Sequence, residues 1–171
     1  MAAITIKIVP GDYINEEAVE NVIRYIMRLH NPLLVDGCGV FPLEENYIIG
    51  QFNYVKDYYN MHCGKKVFHM VISVDPSLRF DEYNLMKLGK LISRFFGSDR
   101  QVVYVVHNDT DNLHIHMCVN TVSFVNGKYT DFFDMLEIKE YAERCLSLVV
   151  DEKWFNKKCY TEEYNDKTNR L

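Results

Sequence analysis

The chain has 171 residues, of which 48% are hydrophobic and 25% are charged, and its formal net charge at pH 7 is −5. This length suits one domain with a core of its own, and the composition is that of an ordinary globular protein rather than a disordered or fibrous one. An acidic balance argues against a protein that binds nucleic acid over its whole surface and would confine any DNA contact to a local basic patch.

The cysteines and the N-terminus indicate the compartment. The five cysteines are dispersed, without a CxxC pair, at Cys38, Cys63, Cys118, Cys145 and Cys159. Such a set is typical of reduced thiols in the cytoplasm. The N-terminal residues form neither a basic leader nor a long apolar core, and no apolar run approaches the roughly 20 residues that cross a bilayer. We therefore expect a cytoplasmic protein without a membrane segment.

The first third of the chain predicts a strand followed by a helix. Residues 4–9 alternate in polarity and end at a Pro-Gly pair, which favours a short strand. Asn15 is the expected N-cap of a helix that runs to about Leu29. The helix buries an apolar stripe formed by Val19, Val22, Ile23, Ile26 and Leu29. Tyr25 lies about 100° from the centre of that stripe, so its ring can pack at the edge while its hydroxyl stays exposed.

The remaining elements complete an α+β pattern. Residues 31–46 contain two prolines and two glycines and predict a loop, whereas residues 47–63 are expected to be partly helical. Strands are predicted at 68–74, at 102–106 and from His114 to about Phe124, and helices at 82–96 and 138–150. Asn126-Gly127 is a strong hairpin signal. The predicted fold is a central, mostly antiparallel sheet flanked by helices.

We expect one domain over residues 1–150. The segment 151–171 is mainly polar and charged, with Trp154 and Phe155 as apolar exceptions, and it is either a docked end or the beginning of a further region.

Three histidines near the middle of the chain predict a metal site. His114 and His116 are two residues apart on a strand and therefore share a face. His107 ends the preceding apolar run, and an antiparallel hairpin would bring it beside His114. A single histidine on a strand is usually a satisfied polar residue, but three on one face can hold a metal ion and leave positions open for water or substrate.

A three-histidine site can polarise an oxygen of a phosphodiester and stabilise the charge that develops there, but it does not identify the nucleophile. The chain has 12 tyrosines, most of which must serve packing. Tyr25 is the best candidate by position, at the edge of a helix after the first strand. The adjacent Tyr58 and Tyr59 are the alternative, with core or interface packing as the simpler explanation.

Three segments resemble the conjugative relaxases, the mobilisation nucleases within the class of endonucleases that carry a histidine–hydrophobe–histidine motif. HNDTDNLHIHMCVN at 107–120, followed by NGK at 126–128, resembles the third motif of that family. VIRYI at 22–26 is similar to the first motif, whose tyrosine is the nucleophile, and GKKVFHMVIS at 64–73 resembles the strand before the second helix. The resemblance covers residues 4–150, and its third motif is the most specific.

The resemblance implies a relaxase-like fold and a DNA-nicking enzyme. Tyr25 would attack one phosphodiester of single-stranded or hairpin DNA at an origin of transfer, leaving a 5′-phosphotyrosine link and a free 3′-hydroxyl. His107, His114 and His116 would hold Mn²⁺ or Mg²⁺, although three imidazoles also accept Zn²⁺. Asp109 matches the family's acidic position and would orient a histidine. Accessory relaxosome proteins are further expected partners.

Other residues have supporting roles in this expectation. His69 and Ser73 are expected to face the active site, and Asn120 matches the motif with either a functional or a structural role. The phosphate contacts would have to come from the local cations Lys65, Lys66, Arg94, Arg100 and Lys128.

The chain departs from the family in two respects. Relatives carry a Lys-Thr pair after the nucleophile, where this chain has IMRLHNP at 26–32, which keeps Tyr58 and Tyr59 open. Relaxases also commonly have a C-terminal extension for oligomerisation, helicase or primase work. The alternatives are a rolling-circle initiator or single-strand transposase with the same chemistry, a protein that binds DNA hairpins without cutting, and a phosphohydrolase that uses water. Cys118 stands where histidine-triad hydrolases have a further histidine, which disfavours the last.

Overall fold

A computed structural model of the chain describes residues 3–29, 31–108 and 112–168, and in the last helix it describes side chains as far as Lys153. The strands are β1 (Ile4–Ile8), β2 (Val35–Cys38), β3 (Val67–Val74), β4 (Val102–His107) and β5 (His114–Asn120). The helices are α1 (Ala18–Met27), α2 (Glu45–Tyr58), α3 (Glu82–Ser93) and α4 (Met135–Thr168). Two 3₁₀ turns, Pro32–Leu34 and Pro76–Leu78, precede β2 and α3.

The five strands form one sheet in the order β1-β3-β5-β4-β2, with every neighbouring pair antiparallel. The predicted α+β class and antiparallel sheet are confirmed. Helices α3 and α4 pack on one face of the sheet, over Tyr104, Ile115 and Met117, while α1 and α2 cover the other. Each helix is amphipathic because its apolar side supplies part of one of these two cores.

Helix α1 differs from its prediction at both ends. Its N-cap is Glu17, without a side-chain cap, and Asn15 contributes only its backbone carbonyl, which accepts from Ala18 N–H at 3.2 Å. The prediction of Asn15 as the N-cap is therefore wrong. The helix ends at Met27, so Leu29 lies beyond it and is 38% exposed. The rest of the stripe is buried as expected, at Val19, Val22, Ile23 and Ile26.

Other elements also differ from their predictions. The predicted loop at 31–46 contains the edge strand β2, which pairs with β4. Strand β5 ends at Asn120, four residues before the predicted end, although the turn at Asn126-Gly127 does join an antiparallel bridge between Val122 and Tyr129. Helix α4 continues through the polar segment to Thr168 instead of stopping at 150. No helix in the described part of the chain is long and apolar enough to cross a membrane.

Candidate metal centre and active site

The predicted histidine cluster forms where β4 ends and β5 begins. His107 and His114 are direct partners in the antiparallel ladder, and His116 follows on the same face of the sheet, opposite Val105. One ring nitrogen of each histidine lies within 4.8 Å of one nitrogen of the other two. Small side-chain rotations can therefore place all three around one ion at the roughly 2.1 Å that metal–imidazole bonds require.

The second nitrogen of each histidine has a hydrogen-bonding partner that fixes the ring. His107 Nε2–H donates to the carbonyl of Ile26 at 2.6 Å, and His114 Nδ1–H donates to the carbonyl of Asn112 at 3.0 Å. A carbonyl only accepts, so the lone pair stays on Nδ1 of His107 and on Nε2 of His114. Metal-binding histidines have such an outer partner because it sets the tautomer and the ring orientation.

The partner of His116 is another imidazole. His116 Nδ1 lies 2.9 Å from His69 Nε2, and the two side chains belong to residues that are 4% and 2% exposed. If Nδ1–H of His116 donates to His69, the lone pair of His116 Nε2 is left for a metal ion. Strand β3 positions His69 for this contact, because His69, Val71 and Ser73 pair with Cys118, His116 and His114. His69 and Ser73 thus share the face of the histidine cluster.

Burial keeps the imidazoles of His69 and His116 neutral. Desolvation, and to a lesser extent the charge of His107, lowers the pKa of His69 to about 4. Desolvation, and to a lesser extent the charge of the neighbouring histidines, lowers the pKa of His116 to about 3. Neutral imidazoles are the form that binds metal, so at neutral pH His116 is in the form that fits a divalent cation.

Tyr25 lies beside the histidine cluster. Its ring meets that of His116 edge-on, with centroids 5.4 Å apart, and lies 6.2 Å from the ring of His69. The residue is 49% exposed, so a substrate can reach it. The next residue, Ile26, provides the carbonyl that holds His107. One turn of α1 therefore positions both the tyrosine and one candidate metal ligand.

Two residues near Tyr25 were missed by the sequence analysis. The guanidinium of Arg28 lies 4.6 Å from the centroid of the Tyr25 ring and donates to the Tyr25 carbonyl at 3.3 Å. Its position three residues after Tyr25 was a usable signal, since residues at that spacing are neighbours on a helix surface. Tyr13, whose ring centroid lies 6.4 Å from that of His69, has a left-handed backbone with φ of 47°. No motif in the sequence pointed to it.

The alternative tyrosines and Asn120 lie at the other end of β5. Tyr59 donates through its hydroxyl to the carbonyl of Phe124 at 3.1 Å, and its ring packs on that of Tyr58. Strand β5 rises about 3.3 Å per residue, so Asn120 is roughly 13 Å from His116 along the strand. The Asn120 amide bonds to the carbonyl of Phe52, to Gln101 and to the ammonium of Lys56. Asn120 is on the same face of β5 as His116, but this internal network favours the structural one of its two expected roles.

The predicted phosphate-binding cations do not gather at the histidines. Arg100 is 5% exposed and donates to the carbonyls of Thr121 and Lys128, and buried Lys66 bonds to the carbonyl of His62. These two placements contradict the expectation that Arg100 and Lys66 contact DNA phosphates, because acceptors inside the protein already bind both cations. Arg94 follows α3 on the opposite face of the sheet.

Two of the predicted cations remain candidates for phosphate contacts, but they lie at the end of the sheet that is far from the histidine cluster. Lys65 and Lys128 lie beside the segment that follows Asn120, where their carbonyls accept from Thr121 and Ser123. The remaining predicted residue, Asp109, lies outside the described residues.

Comparison with known proteins identifies the family. The family model described as "Relaxase: MobA/VirD2-like, nuclease domain" matches residues 25–147. A solved structure described as "Molecular Basis of Vancomycin Resistance Transfer in Staphylococcus aureus" is 11% identical, with a TM-score of 0.62, over 89% of this chain and 94% of that one. At this identity the second match shows a shared fold. No curated protein sequence matches significantly. The chain belongs to the MobA/VirD2-like relaxase family, and the match covers its nuclease domain.

Proposed function

We propose that the protein nicks one strand of DNA at an origin of transfer and holds the cut strand covalently on Tyr25. The observation that carries this proposal is the contact of an exposed tyrosine with a cluster of three histidines, in a chain of the relaxase nuclease family. The opposite end of the sheet, where Tyr58 and Tyr59 lie, has no such cluster among the described residues.

The reaction is a transesterification. Tyr25 Oη forms a bond to the scissile phosphorus, and the bond from phosphorus to the 3′-oxygen of the preceding nucleotide breaks. The phenol loses its proton and the departing 3′-oxygen gains one, so a 5′-phosphotyrosine and a free 3′-hydroxyl result. One phosphoester bond replaces another, which allows the reverse reaction to reseal the strand.

The residues around Tyr25 have distinct tasks in this proposal. His107, His114 and His116 would hold a divalent ion, which would supply positive charge to stabilise the phosphate during the reaction. His69 holds His116 in the metal-binding tautomer, and the Ile26 carbonyl does the same for His107. Arg28 keeps the Tyr25 ring in place and adds a second positive charge beside the tyrosine.

A covalent-adduct assay tests the proposal. The substrate is a pool of DNA hairpins with randomised single-stranded flanks, labelled at either the 3′ or the 5′ end and incubated with Mn²⁺, Mg²⁺ or EDTA. We expect a denaturation-resistant protein band with the 3′ label alone, because the tyrosine takes the 5′-phosphate of the downstream fragment.

The variants separate the candidate roles. Tyr25→Phe and His116→Ala should abolish the band, whereas Tyr58→Phe and the distant Tyr83→Phe should keep it. Cleavage without an adduct would indicate water as the nucleophile and contradict the proposal. A band lost only in Tyr58→Phe would contradict the role of Tyr25.

A further inference from the structure

Helix α2 exposes a row of tyrosines that the proposed chemistry does not use. We call Tyr47, Tyr54 and Tyr58 the tyrosine face; they are 58%, 66% and 69% exposed. Spacings of seven and four residues place them on one side of the helix, while Ile48 and Phe52 on the other side are fully buried. Large rings exposed together on one face mark a binding surface more often than an ordinary solvated one.

A surface cavity of about 410 Å³ lies at the tyrosine face, lined by Tyr47 and Tyr54 together with Glu44, Asn46, Gly50, Gln51 and Gln101. Gly50 lies in the middle of α2, where glycine costs about 1 kcal/mol relative to alanine. A Cβ added to Gly50 would meet no atom within 4 Å, so packing within the described chain does not require glycine there. A missing side chain does allow a flat ring to approach the helix backbone between the two tyrosines.

The lining favours a nucleobase over a phosphate. It contains no lysine or arginine, and its one charged group is the carboxylate of Glu44. Tyr47 and Tyr54 are separated by about 10.5 Å along the helix axis and offer stacking surfaces. Asn46 accepts from Arg24 through Oδ1, which keeps its amide nitrogen as a donor. Glu44 and Asn46 can therefore hydrogen-bond to the edge of a stacked base.

The cavity adjoins the helix that bears the proposed nucleophile. Arg24, the neighbour of Tyr25, donates to Glu45 at 2.8 Å and to Asn46 at 3.2 Å, both in the first turn of α2. A DNA strand lying across Tyr25 can thus reach the cavity over a surface that α1 and α2 form together. We propose that the cavity of the tyrosine face binds an unpaired base of the strand that is cut. This inference rests on the proposed function.

The test measures binding without cleavage. Fluorescence anisotropy with labelled single-stranded 20-mers of random sequence, in EDTA, reports affinity independently of the metal and of Tyr25. Gly50→Leu fills the cavity from a position with free space, and Tyr54→Ala removes one wall. We expect each to weaken binding at least about fivefold, the lower range for loss of one base stack. Tyr54→Phe should bind like the wild type because it keeps the ring.

Two controls make the result specific. Tyr83→Ala removes a tyrosine that is 66% exposed on α3, on the other side of the sheet, and should leave affinity unchanged. Between 50 and 200 mM salt, the affinity ratio of wild type to Tyr54→Ala should stay constant, since a neutral stack releases no counterions. Thermal unfolding of each variant reports folding, and Gly50→Ala should be as stable as the wild type or more so.

If Gly50→Leu and Tyr54→Ala both fold and both bind the single-stranded DNA with wild-type affinity, the inference is overturned. A protein partner would then be left as the occupant of the tyrosine face. If the affinity ratio of wild type to Tyr54→Ala falls steeply with salt, Tyr54 supports a phosphate contact instead, and the inference is also overturned. Either result is distinguishable from failure of the proposed function, because the covalent adduct would still form.

Discussion

Substitution of His69 tests whether the imidazole pair organises the metal centre. His69→Ala removes the 2.9 Å contact with Nδ1 of His116, at two residues that are 2% and 4% exposed. His116 could then place its proton on Nε2, the nitrogen expected to face the metal. Loss of an outer hydrogen-bonding partner typically lowers metal affinity about 10- to 100-fold. This corresponds to roughly 1.4–2.7 kcal/mol, and we expect a value inside that range for this buried pair.

The assay is titration of Mn²⁺ into the protein, followed by the loss of the free Mn²⁺ signal in electron paramagnetic resonance, which requires no DNA. His69→Gln should recover part of the affinity, because its side-chain carbonyl can accept from His116. His62→Ala is the matched control, since His62 is an exposed histidine whose Nε2 lies 3.8 Å from Asp57. Wild-type Mn²⁺ affinity in a folded His69→Ala protein would refute the role assigned to His69.

Three further predictions concern other residues. Burial lowers the pKa of Lys56 to about 7, so the unfolded state binds more protons than the native state from about pH 7 to 10.5. Wild-type stability should therefore rise over that window, by on the order of 4 kcal/mol in total, and this rise should be missing from Lys56→Met in denaturant titrations at pH 7 and 9. Arg28→Ala should slow adduct formation about tenfold at saturating DNA, as expected for loss of one stabilising charge, whereas Arg144→Ala, whose guanidinium lies over Tyr141 on α4, should not. Gly89→Ala should cost about 1–3 kcal/mol of unfolding free energy, because its Cβ would come within 2.6 Å of the buried Tyr104 ring; unchanged stability would show that the ring moves freely.

The local sequence pattern predicted the central strands of the sheet and the histidine cluster. The apolar run before His107 and the alternation after His114 fixed two strands, and antiparallel pairing then placed His107 opposite His114, as the ladder shows. The same alternation placed His69 and Ser73 on the face of the cluster. The shared faces follow from the period of two residues in a strand, and the pairing of His107 with His114 follows from the hairpin expected between their strands.

Features set by distant contacts escaped prediction. Strand β2 has four residues, one of them Gly37, and is held by pairing with β4, which no local signal reveals. Arg100 and Asn120 looked available for DNA or for the active site, but carbonyls and side chains from other segments satisfy them inside the protein. The contact of Arg28 with the Tyr25 ring, by contrast, could have been predicted from their spacing of three residues.

The most direct test of the account is to locate the DNA on the protein by mass spectrometry. The adduct is trimmed with nuclease, digested with trypsin and searched for a nucleotide on tyrosine. Cleavage after Arg24 and Arg28 gives a four-residue peptide with Tyr25 as its only tyrosine, whereas Tyr58 and Tyr59 fall together in the peptide of residues 57–65. We predict a nucleotide 5′-phosphate on the peptide of residues 25–28. The same modification on residues 57–65, with an unmodified Tyr25 peptide, would contradict the account.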